Sequence, residues 1–578
     1  MTLIKFDNRI LRTPQAASKV EVGVAAKGSP DSTGRVLVIG ESEGGIINQI
    51  NWFDSPITAK ETLRSGDTLR SIGYIFDPSS QRPGAEKVGF IRAQATTQGA
   101  LDLGSLSFKS IDYGTWVNAI KIKTEAATQD AGDNTKITID YAGNQEIGDN
   151  LGLALTIQST TSESDAKIEV TAGDHIIGTD GATGVENTIF DFDFSDTNYN
   201  TVDKVVAAIN ALSTWTCSVY SFAPNGVGGL NSTVLNTLSA TSCKVSAVNL
   251  KAFPFIVKQF IDSISTFVTA TVETDGTKIT ANDALTPLTG GTAPAMDTTA
   301  VSDALTLAEP SNIRTIFIQS ESASVHAQVD AHCGLRTLKS PRVGVFGGTN
   351  QTTLALSISD TSSRAVNLNS ARSILVACGI TDFKLDGSGT EALPPVFFAA
   401  KIAGLRAGLP LQEPMTFKTF RCQGLQYDYT ITNTDTFIGA GVLAPVFEDG
   451  IGFIVAAGVN TLQDNVQLWS ASADASPEDS LERIKDEINF NIERAAERIF
   501  IGGNVGIGRE TIIDFVETIL NQAVDDGWLA EDDSDPDDIK PAWEGVDAVR
   551  LSDGWHASWA GRGNNPFNFF LTSGTILG

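Results

Sequence analysis

Apolar residues fall along this chain in two patterns. In the first they run without alternation. Arg35-Val36-Leu37-Val38-Ile39-Gly40 and Lys87-Val88-Gly89-Phe90-Ile91-Arg92 hold such blocks, as do segments 313–318, 342–346 and 373–377. A continuous apolar block predicts a strand buried on both faces, because a half-exposed strand alternates. Residues 57–76 carry helical spacing in places, interrupted at Gly66 and Gly73. The order strand, turn, helix, strand predicts an α/β core. In the second pattern, apolar and polar positions alternate in segments 136–141, 153–157 and 167–170, between clusters of Gly, Asn, Asp and Ser. Strand-like runs at 267–272 and 277–280 and a short amphipathic helix at 203–212 accompany them. Residues 125–300 therefore read as a β-rich, antiparallel insertion facing solvent. The fold class expected is α/β (α+β) and multidomain, with a mixed-sheet core, that insertion, and extended N- and C-terminal arms.

The longest helical signal lies near the C-terminus. Ser476 is the expected N-cap and Pro477 the first helical residue, with Glu478 and Asp479 at the positive end of the dipole. Leu481, Ile484, Ile488, Ile492, Ala495 and Ile499 follow at steps of three and four and form an apolar stripe. The opposite face carries Glu482, Arg483, Lys485, Asp486, Glu487, Glu493, Arg494, Glu497 and Arg498. A glycine-rich turn leads into a second helix holding Ile512, Val516, Ile519, Leu520 and Ala523. The acidic run at 531–538 is either a solvated loop or a docking surface for a basic partner. Trp543, Trp555, Trp559, Phe567, Phe569 and Phe570 crowd the tail among Gly, Asn and Pro. Such a segment cannot bury its aromatics as a helix. It needs a sheet or groove, in its own chain or in a neighbour, and adding a strand to an open sheet edge supplies one. At the other end, Val20, Val22 and Val24 form a β-favouring run with breakers after it. Residues 1–30 and 556–578 are expected to be inter-subunit arms.

Charge and chemistry narrow the functional classes. The 578 residues hold 41 Lys and Arg against 69 Asp and Glu, a net charge of −28. That disfavours binding to nucleic acid or to an anionic membrane surface. No run approaches the ~20 apolar residues of a membrane span, and the N-terminus lacks the pattern of an export signal, so no membrane insertion is expected. The five cysteines, Cys217, Cys243, Cys333, Cys378 and Cys422, contain no C-x-x-C pair, which disfavours a disulfide framework or zinc ribbon. Asp330, His332 and Cys333 lie close together, but no second cluster completes a metal site. The turn after Ile39 lacks G-K-[ST], and Glu41 and Glu43 would repel phosphate. No G-x-S-x-G elbow is present. No catalytic, metal or cofactor site is expected.

Several segments together resemble the contractile tail sheath proteins of bacteriophages. Val36-Leu37-Val38-Ile39-Gly40-Glu41-Ser42-Glu43-Gly44-Gly45 is similar to that family's opening strand and glycine turn, with Gly40 and Gly44 as its marks. Val88-Gly89-Phe90-Ile91-Arg92 resembles its valine-arginine strand. Asp112, Gly114, Trp116 and Asn118 resemble a D-x-G-x-W-x-N segment, and Gly290 and Gly291 an L-x-G-G that closes a variable insertion. The helix from Pro477 is similar to the family's C-terminal helix, and the stretch 411–425 departs from the family pattern.

The resemblance implies a structural subunit without cofactor. Six copies per ring would stack around an inner tube, and the lattice would shorten and widen to drive the tube through a host envelope. The implied partners are further copies of the chain, the tail tube protein, and baseplate and tail terminator proteins. The implied location is the virion tail, after synthesis in the host bacterial cytoplasm. On this division 1–35 is the N-terminal arm, 36–124 and 301–470 are the two parts of the core, and 125–300 is the outward-facing insertion. Residues 471–555 are the helical, tube-facing part and 556–578 the C-terminal arm. Arg483, Lys485, Arg494 and Arg498 are candidate tube-facing residues, with a merely solvated helix face as the other reading. Three alternatives remain: a tail-fibre or adhesin subunit whose insertion binds carbohydrate, a nucleotide-using protein built on the Gly40 to Gly45 turn, and the sheath of a phage-derived particle such as a tailocin.

Overall fold

The computed structural model describes residues 34–171, 173–335, 340–385, 387–463, 477–500, 507–533, 535, 537–551 and 554–564, together with the backbone of the strand pair Ile4–Phe6 and Arg9–Leu11. Val20, Val22, Val24, Phe567, Phe569 and Phe570, expected in the arms, lie outside the described residues. The chain divides into two compact units.

The first unit comprises Met1–Ser42, Ile47–Gln94 and Ala295–Gly578. Its elements include β1 (Arg35–Gly40), β2 (Asn51–Phe53), α1 (Pro56–Leu63), α2 (Asp67–Phe76), β3 (Lys87–Arg92), β4 (Thr315–Ile318), β5 (Val343–Gly347), β6 (Ser373–Val376), α3 (Pro395–Gly408) and β7 (Val442–Leu443). The strands form one seven-stranded sheet in the order β7-β6-β5-β4-β1-β3-β2. Every pairing is parallel except that of β2 with β3. Successive side chains of β1 point to opposite faces. Val36 and Val38 pack with Leu63 and Ile75 of α1 and α2 and with Phe398 and Ile402 of α3. Leu37 and Ile39 pack with Val301 and Leu305 on Thr298–Ala308 and with Val325 and Val329 on Ala323–Cys333. Helices on both faces are why these strands read as unbroken apolar blocks. The helical stretch breaks at Gly66, while Gly73 is accommodated inside α2.

The second unit comprises Glu43–Ile46 and Ala95–Pro294, so it begins ahead of residue 125, where the composition changes. All its strand pairings are antiparallel. The apolar positions of the alternating runs, Ile137, Ile139, Leu155, Ile157, Ile168 and Val170, meet in one core. Helix Val202–Asn210 packs Val205 and Ile209 into it. The strand expected at 277–280 is absent: Ile279 is buried alone, and the strand forms just beyond it, at Asn282–Pro287, against Lys121–Ala126. The segment has no ladder partner; Ile279 in the unit's core, Thr124 Oγ1 donating to the Thr280 carbonyl and Lys278 Nζ donating to the Ala131 and Gly132 carbonyls hold it instead.

The last part of the first unit holds α4 (Asp479–Ile499), α5 (Arg509–Asp525) and an antiparallel hairpin of β8 (Trp543–Arg550) and β9 (Trp555–Gly561). The cap of α4 is Glu478, and Pro477 precedes the helix instead of opening it. The cause is local. Asn460 N–H donates to the Pro477 carbonyl and Asp479 N–H to the Gly458 carbonyl, which holds this stretch extended. Ser476 lies outside the described residues. Ile484 and Ile488 of α4 pack on Val516, Leu520 and Ala523 of α5, with Leu529 and Ala542. The hairpin lies on the same helices: Trp543 and Trp559 flank that cluster, and Ala548 joins Ile512 and Ile513 of α5. The groove that the aromatic segment needs is therefore provided, up to Gly561, by its own chain.

Candidate assembly site

The glycine and polar positions that carry the family resemblance do structural work at three places. In the first unit, a Cβ on Gly40 would lie 2.6 Å from Thr68 Oγ1, so only glycine lets β1 end against α2. Arg92, buried at the end of β3, donates through Nη2 to the Ser42 carbonyl at 2.6 Å and through Nε to Gln94 Oε1 at 3.1 Å, and Gln94 Oε1 also accepts the Ser42 N–H. That closes the turn after β1. In the second unit, Asp112 accepts the Gly45 N–H on both carboxylate oxygens at 2.9 and 3.1 Å. Gly44 is buried beside it. Gly114 takes φ +107° and opens a short 3-10 turn, Thr115–Ala119, that presents Trp116 and Asn118. Trp116 is buried edge-on to Tyr141. Asn118 donates to the Gly291 carbonyl at 2.8 Å and accepts its N–H at 2.9 Å. A Cβ on Gly291 would come within 2.5 Å of the Gly114 carbonyl, and Gly290 has φ +88°. Bridges between Thr97 and Thr292 and between Ala100 and Thr289 complete a clasp that ties the start of this unit to its end.

The third place is α4. Its charged face was expected to meet solvent or a tube, but over the first turns it is buried in its own chain. Glu482, Arg483, Asp486 and Glu487 are all less than 9% exposed. The core sends arginines to meet them. Arg406, at the end of α3, shares its Nε–H between both oxygens of Asp479 at 2.9 and 3.0 Å and donates to Thr315 Oγ1 at 2.9 Å. Arg372 pairs Asp486 through both Nη atoms, one at 2.7 Å. Arg314 pairs Glu487 and stacks over Phe490 at 4.7 Å. Arg483 donates to the carbonyls of Arg406, Pro410, Leu411 and Glu413 at 2.7–3.0 Å. Burial lowers the Arg314 guanidinium and pushes Arg483 down to about 10. Burial also raises the Glu487 carboxyl, and it pushes Glu478 up to about 8. Removing one member of such a pair strands a charge and costs about 3–5 kcal/mol, whereas the intact pair adds little net stability. The joint therefore sets the geometry with which α4, α5 and the hairpin are held on the core.

The candidate tube-facing residues consequently part ways. Arg483 is a correction: carbonyls at the end of α3 enclose it and leave it no surface to offer. Lys485 is one-third exposed and pairs Glu482 at 2.7 Å. Arg494 is 40% exposed, and Arg498 is exposed. Asp330, His332 and Cys333 do not converge on a common point: Asp330 accepts from Ser373, and His332 Nε2 meets Arg342 at 2.8 Å. The residues of this joint that the sequence reading missed are Arg314, Arg372 and Arg406. A sequence signal existed for two of them, since Arg314 precedes an apolar strand and Arg406 stands in the nearly unbroken apolar run from Pro395 to Ala407.

β8 and β9 pair only with each other, so among the described residues neither outer edge of the hairpin carries a third strand. Residues 556–561, expected in the C-terminal arm, are committed to this hairpin, and residues 565–578 lie outside the described residues. An open two-stranded edge with half-buried tryptophans is a surface to which an extended strand adds through main-chain hydrogen bonds.

No family model matches this sequence. The chain is 25% identical over 552 residues to the tail sheath protein of Bacillus phage SP01, covering 93% of this chain and 92% of that protein. It is 23% identical over 580 residues to the tail sheath protein of Staphylococcus phage Twort, covering 94% of each. Among solved structures, the sheath tail protein of Desulfitobacterium hafniense superposes with a TM-score of 0.52 at 14% identity, over 93% of this chain and 98% of that one. This chain is thus a homologue of the phage tail sheath proteins along nearly its whole length and carries the fold of a sheath tail protein.

Proposed function

We propose that this chain is the subunit of a contractile tail sheath that polymerises as stacked hexameric rings around a tail tube and shortens to drive the tube through a host envelope. The observation that carries this reading is the likeness to phage tail sheath proteins across both units of the chain. The open hairpin and the ionic joint supply mechanical parts that suit it. A sheath subunit must move as a body while staying linked to its neighbours. Main-chain hydrogen bonds to an added strand contribute roughly 0.5–1.5 kcal/mol each and survive rotation of the bodies they connect. The joint on α4 keeps the hairpin in fixed register with the core, so a pull on the hairpin turns the core.

The arms are the residues ahead of β1 and those after Asn564, and the partners are further copies of this chain, a tube protein, baseplate and terminator proteins. Residues 125–300 face outward. The product is part of a virion tail, made in the cytoplasm of a bacterial host. The work comes from the lattice changing shape, so no catalytic step is needed. Deleting residues 565–578 tests this: the truncated chain folds and stays soluble but builds no tubes in negative-stain images. Normal long tubes from the truncated chain would refute the linking role of that segment.

A further inference from the structure

A cavity of about 30 Å³ lies where α4 meets the core, lined by Arg314, Arg406, Arg483 and Asp486 with Leu409 and Leu411. That exceeds the roughly 10–15 Å³ a single water needs, so a small guest fits. Three of its four charged residues are arginines, and both oxygens of Asp486 are engaged by Arg372. Among the described residues Arg314 Nε and Nη2 and Arg483 Nε have no hydrogen-bond acceptor, although these side chains are only 8% and 6% exposed. Arg483 Nε is 3.6 Å from Asp479, beyond hydrogen-bond reach. The unmatched groups of the arginines are all donors, so the guest must be an acceptor.

Charge decides between acceptors. Five cationic side chains, Arg314, Arg372, Arg406, Arg483 and Lys485, face four carboxylates, Asp479, Glu482, Asp486 and Glu487. Pairing uses up the carboxylates: Arg314 with Glu487, Arg372 with Asp486, Arg406 with Asp479 and Lys485 with Glu482. Arg483 has only a share of Asp479, 3.6 Å from its Nε and already held by Arg406, and among the described residues its Nη atoms bond to neutral carbonyls. The nearby Glu478 does not cancel it near neutral pH, because burial keeps that carboxyl protonated up to about 8. Two buried arginines that share one carboxylate leave an uncancelled positive charge, which is costly. We propose that this cavity binds a small monovalent anion, chloride in ordinary salt solutions, between Arg314 and Arg483, and that the ion fastens α4 to the core. Water would satisfy the donors but leave the charge uncancelled.

Two measurements on the full-length protein test this. Crystals soaked in sodium bromide should give an anomalous peak inside the cavity between Arg314 and Arg483. Thermal unfolding at constant ionic strength should shift upward as sodium chloride replaces sodium gluconate, whose anion is too large to enter. Each tenfold rise in chloride should add a constant increment once the site is populated. R483M removes the surplus charge and should abolish the chloride dependence. If that variant does not fold, the bromide peak in the native protein decides alone. A cavity holding only water, or equal midpoints in chloride and gluconate, would overturn the proposal.

Discussion

The buried pair between Arg406 and Asp479 permits a quantitative test of the joint. Asp479 is 1% exposed and Arg406 7%, and the Nε–H of Arg406 lies 2.9 and 3.0 Å from the two carboxylate oxygens. Arg406→Met leaves a carboxylate in a site with almost no solvent. The expected loss is about 3–5 kcal/mol, because the remaining ion pays its desolvation without a partner. In a unit this large each kcal/mol lowers the melting temperature by about 2 °C, so a fall of roughly 6–10 °C is expected. Asp479→Leu alone should cost a similar amount. The double variant should recover most of it, since a well-packed apolar pair of similar size is about neutral relative to a buried ion pair. Trp528, Trp543, Trp555 and Trp559 all belong to or flank the cluster around α5, so tryptophan fluorescence reports release of this region. A single variant that loses less than about 1 kcal/mol would refute the reasoning, because that is the range of a solvated surface pair. So would a double variant whose loss equals the sum of the two singles.

Other outcomes follow from the same geometry. Gly291→Ala forces a Cβ to within 2.5 Å of the Gly114 carbonyl and should cost about 1–3 kcal/mol, read as a lower urea midpoint for the second unit; an unchanged midpoint would mean the clasp is loose. Glu478 keeps its proton in the folded chain up to about pH 8, whereas its unfolded reference is 4.5. The folded state therefore binds the extra proton between those values, and this carboxyl erodes stability by roughly 1.4 kcal/mol per pH unit across that window. Glu478→Gln should match the native protein at pH 4.5 and exceed it increasingly toward pH 8 in urea titrations, and parallel pH profiles would count against this. Reversing the exposed Arg494 and Arg498 to Glu should weaken co-assembly with the tube at low salt while leaving the fold intact, and unchanged co-assembly would return that face to solvent.

Much of the fold was legible because burial on two faces leaves a mark in one dimension. β1 and β3 read as apolar blocks since helices cover both sides, and the second unit announced itself by alternation. The helix pair was visible from its stripe. The charged face of α4 was misread because a stripe of Glu, Arg and Asp looks the same whether it meets water or arginines from far along the chain. Only the three-dimensional meeting of Arg314, Arg372 and Arg406 with Asp479, Asp486 and Glu487 distinguishes the two. The same limit explains the strand misplaced to 277–280, where β-favouring residues lack a ladder partner. The clasp was partly legible: Asp112, Gly114, Trp116, Asn118, Gly290 and Gly291 stood out as a motif, but that Asn118 grips Gly291 became evident only from the fold.

The central claim is that copies of this chain are stitched together through strands added at the open hairpin. Cryo-electron microscopy of the polymer formed by the full-length protein tests it most directly. The account predicts a helical tube of six-fold rings in which density from a neighbouring subunit runs as a further strand along an edge of β8 or β9. Bare hairpin edges, with both chain ends folded onto their own subunit, would contradict it.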